Sequence, residues 1–458
     1  MFFHQYYLAC LSHASYMIGD TTSGRAVVVD PQRDISQYLA DAKANGLTIE
    51  RVIETHFHAD FLSGHLELQQ ATGAAISFGR VGAARAEFPV VAVNDGERLS
   101  LGDVVLEFRE TPGHTPESIS IVVWERANDK TPYGVLTGDT LFIGDVGRPD
   151  LLSAFGATAV DLGRQLYHSL HGKLLTLPDS TKVYPAHGAG SACGKNLSTE
   201  TVSTIGEQRR TNYALAPMSE DEFVQVVTEG QAAAPLYFSF AALRNRAQRE
   251  TFTEEAVADA KTLSEVIALR DGGAVVIDAR EHEDFARGHL RGSINVGLSG
   301  RFAEYVGEVV RSTDRIVLIA PAGTAAEART RLARIGFDNV VGALEAPEAS
   351  FVEHPEEVTV ASRLTAAAFA ERAASMEALQ VVDIRGPGEV EAGMIAHASH
   401  VQLAELFTRL GELNPQMSTV VYCAGGYRSS IAASLLRQRG FKDVSDIVGG
   451  YSAWRMAS

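Results

Sequence analysis

The sequence predicts an α/β chain of more than one domain, and three observations carry that expectation. About the first 200 residues alternate short β-branched runs with loops rich in His, Asp and Gly; the texture changes near Leu263; beyond that point the chain repeats itself at a spacing of about 105 residues. Length agrees, because 458 residues exceed what one hydrophobic core usually serves.

In chain order, the runs at 26–29 and 51–54 read as buried strands, each ending in a polar loop. Residues 35–45 between them read as an amphipathic helix closed by Gly46, a usual residue just past a helix end. Later, Val276-Ile277-Asp278-Ala279-Arg280 recurs as Val381-Val382-Asp383-Ile384-Arg385, and Gly288-His289-Leu290 as Gly393-Met394-Ile395. Arg334-Ile335-Gly336-Phe337 is echoed by Arg439-Gly440-Phe441. Such a period is too long for a solenoid unit and marks two copies of a small domain. Strand-then-helix alternation in each copy predicts a mostly parallel sheet with helices on both faces. The stretches 231–235 and 245–255 each read as a linker before the first copy. Domains are therefore expected at 1–255, 256–355 and 356–458.

Composition excludes several classes. A formal charge of −17 disfavours nucleic acid, which needs clustered Lys and Arg. No apolar run approaches the roughly 18 residues of a membrane span, so no membrane partner is expected. The opening Met1-Phe2-Phe3-His4-Gln5-Tyr6-Tyr7 lacks a basic region and a continuous apolar one, and a cytoplasmic protein is expected. Cys10, Cys193 and Cys423 are too few and too scattered for a disulfide framework or a Cys-rich zinc site, so those that matter will matter as thiols.

Two constellations carry chemistry. The first is Thr55-His56-Phe57-His58-Ala59-Asp60 after a predicted strand, followed by Gly113-His114, Gly138-Asp139 and Ala186-His187. Any one of these histidines is more often a satisfied core or surface residue; the ordered set of imidazoles and carboxylates at strand ends supplies enough N and O donors for one or two borderline metals. In the second, residues 419–422 read as a strand and 430–439 as a helix, with Cys423-Ala424-Gly425-Gly426-Tyr427-Arg428 between them. A thiolate on a glycine-containing loop at a helix N-terminus is stabilised by backbone N–H groups and the helix dipole. Gly425 and Gly426 help form that ring of donors around a persulfide sulfur, and Arg428 adds a full charge for an anionic donor.

The first constellation resembles the metallo-β-lactamase superfamily, whose signature is H-x-H-x-D-H followed by a His, an Asp and a last His. The resemblance covers about the first 250 residues and implies an αββα sandwich. One departure is informative: Phe61 stands where the last His of the motif belongs. A phenyl ring binds no metal, which favours one metal over two. In the persulfide dioxygenases of this superfamily a single iron is held by the first His, the Gly-His and the Asp. Carried over, that implies one Fe(II) per chain on His56, His114 and Asp139, with His58, Asp60 and His187 orienting ligands, water or substrate. Two imidazoles and one carboxylate leave adjacent positions for a sulfur donor and dioxygen. Gly147-Arg148-Pro149-Asp150 is similar to the G-R-T-D stretch beside the thiol channel of those enzymes, although Pro149 departs from it. Arg148 reads as a clamp for a substrate carboxylate or, equally, as an internal partner of Asp145 or Asp150. Gly194-Lys195-Asn196 and Gln208-Arg209-Arg210-Thr211-Asn212-Tyr213 resemble the matching region of dioxygenase-rhodanese fusions. Cys193 reads as a structural thiol, with a sulfur relay as the sharper alternative.

The second constellation matches the C-x-x-G-x-R loop of rhodaneses, with Asp383, Arg385 and Gly449-Gly450-Tyr451-Ser452-Ala453-Trp454 in family register over about 358–458. Two rhodanese-like α/β domains are implied. The equivalent loop of the first copy, Ile319-Ala320-Pro321-Ala322-Gly323-Thr324, has neither thiol nor Arg. That copy reads as inactive: a spacer, a dimer surface or a platform.

The resemblance implies oxidation of a thiol persulfide by dioxygen to sulfite, joined to sulfur transfer through Cys423 with thiosulfate made or consumed. A homo-oligomer, dimer or tetramer, is the expected assembly. The alternative is a zinc-dependent hydrolase of the glyoxalase II type with a sulfurtransferase tail, against which Phe61 argues because that chemistry normally uses two metals. A third reading, a non-enzymatic sulfide sensor or scaffold, leaves both complete sites unexplained.

Overall fold

Residues 26–29 send alternate side chains to opposite faces, and both faces are apolar; such a strand has to lie between two layers. In the computed structural model, which describes residues 1–151, 158–254, 256–376 and 378–457, it does. Val27 and Val29 enter one buried cluster with Tyr16, Ile18, Phe108, Ile121 and Leu136. Ala26 and Val28 enter another with Met17, Tyr38, Ala42, Val52 and Leu68. Burial of each such aliphatic side chain contributes about 1.5–3 kcal/mol.

The first cluster is the seam between two six-stranded sheets. One runs β1 (Phe2–Leu8), β2 (His13–Asp20), β3 (Arg25–Val29), β4 (Thr48–Ile53), β5 (Ala75–Gly79) and β6 (Val91–Val93). The other runs β12 (Ser203–Thr204), β11 (Lys182–Pro185), β10 (Gly134–Gly138), β9 (Ile119–Trp124), β8 (Val105–Glu110) and β7 (Arg98–Ser100). Helices cover the outer faces. Ser36–Ala44 supplies Tyr38 and Ala42 to the first sheet, while Ala159–Ser169 and Glu220–Thr228 supply Leu166, Phe223 and Val224 on the side of Val122, Val135 and Val183. This is the αββα sandwich. The expected helix ends two residues before Gly46, whose φ of +64° reverses the chain.

Two compact units divide the chain: Met1–Gln231 with Phe238–Thr253, and Ala232–Tyr237 with Glu254–Ser458. The second unit holds both repeats, each around a parallel sheet. The first repeat orders β15 (Ile294–Asn295), β13 (Val275–Asp278), β16 (Ile316–Ala320) and β17 (Val340–Glu345); β14 (His289–Leu290) and β18 (Val358–Thr359) form a separate pair. The second orders β19 (Ser362–Leu364), β23 (Val444–Ile447), β22 (Ser418–Tyr422), β20 (Leu379–Asp383) and β21 (Ser399–His400). Asp278 pairs with Ile319 and Asp383 with Tyr422, which sets Ala320 in the position of Cys423.

Two sequence expectations change. The helix expected from residue 430 spans Tyr427–Gln438 and starts earlier because Gly426, at φ +101°, supplies a left-handed turn directly before it. The stretch 245–255 is not a simple linker, since Asn245 and Arg249 are buried in the first unit. Among the described residues, no helix is long and apolar enough to cross a membrane.

Candidate metal centre and candidate thiol loop

The first site stands where strands discharge into loops. His56 follows β4, His114 follows β8, Asp139 follows β10 and His187 follows β11. Donor atoms of His56, His114 and Asp139 lie within 4.8 Å of one another, all buried. Nε2 of His56 is 3.8 Å and Nε2 of His114 is 3.5 Å from Asp139 Oδ2.

The opposite ring edges explain why those nitrogens offer lone pairs. His114 Nδ1 donates to the Arg148 carbonyl at 2.9 Å. His56 Nδ1 faces Thr55 Oγ1 at 3.0 Å, and that hydroxyl already donates to Asp30 Oδ2 at 2.9 Å, so the imidazole must be the donor. Burial, with His58 and His114 adding to it, pushes the pKa of His56 well below the usual range and keeps it neutral. Asp139 Oδ1 takes a bond from His187 at 2.8 Å, whereas its Oδ2 is buried without a hydrogen-bond partner. Two imidazole nitrogens and one orphaned carboxylate oxygen fit a borderline divalent metal such as iron or zinc. Gly147 is required here: a Cβ at that position would collide with the Asp139 carbonyl.

The remaining motif residues make polar contacts around these three donors. His187 lies between two carboxylates, Nδ1 2.8 Å from Asp139 and Nε2 2.7 Å from Asp60. Burial alone would discharge it, but Asp139 and Asp60 hold its pKa well above the ordinary histidine range. His58 turns away from the triad toward Asp30 at 3.0 Å and Glu54 at 3.6 Å. Phe61 is buried with its ring 3.9 Å from that of His13 and 4.3 Å from that of His58. Cys193 groups with Asp60 and His187; burial, reinforced by Asp60 and Asp139, pushes its thiol well up and keeps it protonated. Arg148 is buried and pairs bidentately with Asp150 at 2.7 and 2.6 Å, the internal pairing weighed above.

Two residues far along the chain, with no signal in the sequence, hold the motif loop. Asn245 Nδ2 donates to the carbonyls of His58 and Phe61, both at 2.8 Å, and its Oδ1 accepts from Ser63 N at 2.9 Å. Arg249 binds both oxygens of Glu67, at 2.6 and 3.0 Å, and the Ser63 carbonyl. Nothing local marks these residues as different from any polar stretch.

In the second unit, Cys423 directly follows β22 and is buried. Its Sγ accepts from Gly426 N at 3.1 Å and lies 3.7 Å from Ser429 Oγ. Gly426 is buried and Gly425 exposed. A Cβ at Gly450 would collide with the Cys423 carbonyl, and Tyr451 N binds that same carbonyl at 2.7 Å, so the closing Gly-Gly-Tyr braces the loop from behind. Arg428 is held by Glu389 through two bonds of 2.8 and 2.6 Å, a partner the sequence did not reveal. In the first repeat Ala320 takes the thiol's place, and the Glu345 carboxylate accepts from Ala325 N at 2.7 Å.

Comparison with known proteins finds likeness to two families. Residues 8–187 match the metallo-β-lactamase superfamily, and residues 262–346 and 365–457 match the rhodanese-like domain. The mitochondrial persulfide dioxygenase ETHE1 of Bos taurus is 33% identical over 233 residues, 50% of this chain and 82% of that protein. Its Homo sapiens counterpart is 32% identical over the same shares. A solved metallo-β-lactamase from Staphylococcus aureus subsp. aureus COL aligns over 75% of this chain and 99% of its own, at 32% identity and a TM-score of 0.69.

Proposed function

The chain belongs to the metallo-β-lactamase superfamily, among the homologues of persulfide dioxygenase, and carries two rhodanese-like domains; from that premise we propose that it oxidises a low-molecular-weight thiol persulfide, such as glutathione persulfide, to sulfite and transfers sulfur through Cys423. The observation that carries the first half is the approach of His56 and His114 Nε2 to the orphaned Oδ2 of Asp139 beside an aromatic Phe61.

Those three residues would hold one Fe(II), which supplies the one-electron chemistry that dioxygen requires. The reaction balances as persulfide, dioxygen and water giving thiol, sulfite and two protons. Around it the protein's own groups have defined tasks. Thr55 and the Arg148 carbonyl fix the two imidazole tautomers; His187 holds Asp139 and Asp60 in place and neutralises part of their charge; Phe61 denies a donor to a second metal. At the other site, the Cys423 thiolate takes the outer sulfur of thiosulfate, releasing sulfite, and the resulting persulfide passes that sulfur to an acceptor thiol. The reverse direction traps sulfite as thiosulfate. Arg428, moving off Glu389, would meet the anionic donor.

The zinc hydrolase alternative draws on Asp60, His187 and Cys193, whose donor atoms also cluster. Metal content separates the two. Protein from an iron-replete host is expected to hold about one iron per chain, and two tightly bound zinc ions would favour the hydrolase. His114→Ala should lower persulfide-dependent oxygen uptake by about a thousandfold or more while Cys423-dependent thiocyanate formation from thiosulfate and cyanide stays within about twofold. Loss of both activities together would count against two independent sites.

A further inference from the structure

The working thiol loop is fastened to the copy that lost its own thiol. Tyr427 lies between Gly426, whose N–H binds Cys423 Sγ, and Arg428. Its side chain leaves its own domain. The hydroxyl donates to the Gly297 carbonyl of the first repeat at 2.6 Å. The ring fills the space a side chain at residue 300 would need: a Cβ on Gly300 would lie 2.6 Å from Cε1 and 2.7 Å from Cζ of Tyr427.

This seat is built rigidly. Arg331, buried on the helix Ala325–Arg334, donates to the carbonyls of Leu298 and Gly300. Asn295 Nδ2 donates to the carbonyls of Asp278 at 3.0 Å and Arg280 at 2.9 Å. The same Asn295 also grips the helix that follows the thiol loop: its N–H donates to Ser434 Oγ at 3.0 Å, and its Oδ1 accepts from Ser430 Oγ at 2.9 Å. Tyr305 packs edge-on to Tyr427 with ring centroids 5.4 Å apart.

The reach is not reciprocated at the equivalent residue. Thr324 of the first repeat stands where Tyr427 stands in the second, and its hydroxyl bonds the Pro321 carbonyl of its own loop at 2.9 Å. We propose that the thiol-less copy is retained as a positioning partner for the Cys423 loop, acting through Tyr427 held between Gly297 and Gly300. The physical route is short. Tyr427 is bonded directly to Gly426, so the seat fixes the direction of the N–H that stabilises the thiolate. This inference rests on reading Cys423 as the sulfur-carrying thiol. Tyr427 is a positioning residue in it, not a catalytic one.

The test is a double-mutant cycle in the full chain with Gly300→Ala, Tyr427→Ala and both. Gly300→Ala should push the Tyr427 ring out of its seat. The pH midpoint for Cys423 alkylation by iodoacetamide, followed on its peptide by mass spectrometry, should rise by about half a unit or more, because the Gly426 N–H is misdirected. kcat for thiocyanate formation from thiosulfate and cyanide should fall about tenfold, with KM and persulfide-dependent oxygen uptake within about twofold. In the Tyr427→Ala background the same Gly300→Ala change should do almost nothing further. An unshifted midpoint and kcat after Gly300→Ala, or an equal loss in both backgrounds, would overturn the proposal. Should Gly300→Ala not fold, Tyr427→Phe carries the test: it removes only the bond to Gly297, and a wild-type midpoint and kcat would overturn the proposal just as well. Wild-type protein that forms no thiocyanate would sink the sulfurtransferase reading instead. The alkylation profile, which needs only the thiol, would still decide the positioning role.

Discussion

The two repeats keep one frame and differ in one loop. Arg280 binds Asp278 and Arg385 binds Asp383 with the same contacts, Nη2 to Oδ2 at 2.7 Å and Nε to Oδ1 at 3.0 Å. Each pair sits at the end of an inner strand of its parallel sheet. At the helix N-terminus the copies part. The second repeat offers the Gly426 N–H to a thiol; the first gives the N–H of Ala325, at the position of Arg428, to the carboxylate of Glu345 on its own strand β17. The difference teaches which parts of a domain can be lost separately. Removing one member of a buried ion pair strands a charge and costs roughly 3–5 kcal/mol, so the frame persists. A reactive side chain on a loop holds up nothing, so its loss strands no charge.

The strongest way to break that comparison is to exchange the thiol. Cys423→Ser should abolish thiosulfate-dependent activity, a loss of about a thousandfold or more, since a hydroxyl neither ionises near neutral pH nor carries sulfane sulfur. Ala320→Cys should not create the activity in the first repeat, because no Arg follows and Glu345 already occupies a donor. Thiocyanate formation by Ala320→Cys/Cys423→Ser above about 1% of wild type would show that the frame alone suffices.

A sharper cut separates the anion site from the thiol. Arg428→Ala should cost about ten- to a hundredfold in kcat/KM for thiosulfate, the range for one charge-assisted contact. Glu389→Gln keeps a hydrogen-bonding side chain yet releases part of Arg428's charge, so KM should fall a few-fold. A KM unchanged in both variants would remove Arg428 from donor binding.

The smallest expected effect lies at a pair of equivalent residues, His289 and Met394. His289 is stacked on Phe285 at 3.7 Å, and burial lowers its pKa to about 3 despite its bond to the Phe285 carbonyl. The folded value lies below the unfolded one, so the unfolded chain binds more protons, and stability is lost as pH falls below about 6.5 toward 3. Between pH 7 and 5.5 this residue should cost about 1 kcal/mol. His289→Met copies the second repeat and should flatten that dependence. Urea unfolding of wild type and variant at both pH values measures it, and an equal dependence in the two would exclude His289 as its source.

Much of this was legible because the chemistry is local. A strand run ending in a His-x-His-x-Asp loop, and a thiol three residues before a glycine that begins a helix, each announce themselves within one segment. Phe61 was legible too, as a residue of the wrong kind in a strict pattern. The clamps were not. Asn245 holds the His58 and Phe61 carbonyls from more than 180 residues away, Glu389 reaches Arg428 across 39, and Tyr427 finds Gly297 across 130. Each is an ordinary polar or aromatic residue whose role exists only after the fold brings its partner near. The helix start at Tyr427 was missed because a left-handed glycine, not a Ser or Asp, precedes it.

The chain visits its units in alternation: 1–231 in the first, 232–237 in the second, 238–253 back in the first, and the rest in the second. Residues 232–237 are not idle where they lie, since Ala233 N binds Gln402 and Tyr237 fills the hollow above Gly307. No single scission therefore yields both units intact. A fragment ending at 231 leaves behind Asn245 and Arg249, and with them the hold on the histidine loop. One ending at 253 keeps that hold but takes with it the strip that the repeats use. The modules can be read apart along the sequence, yet they are spliced like overlapping planks, and an engineer seeking the metal-binding half alone must carry the second segment along.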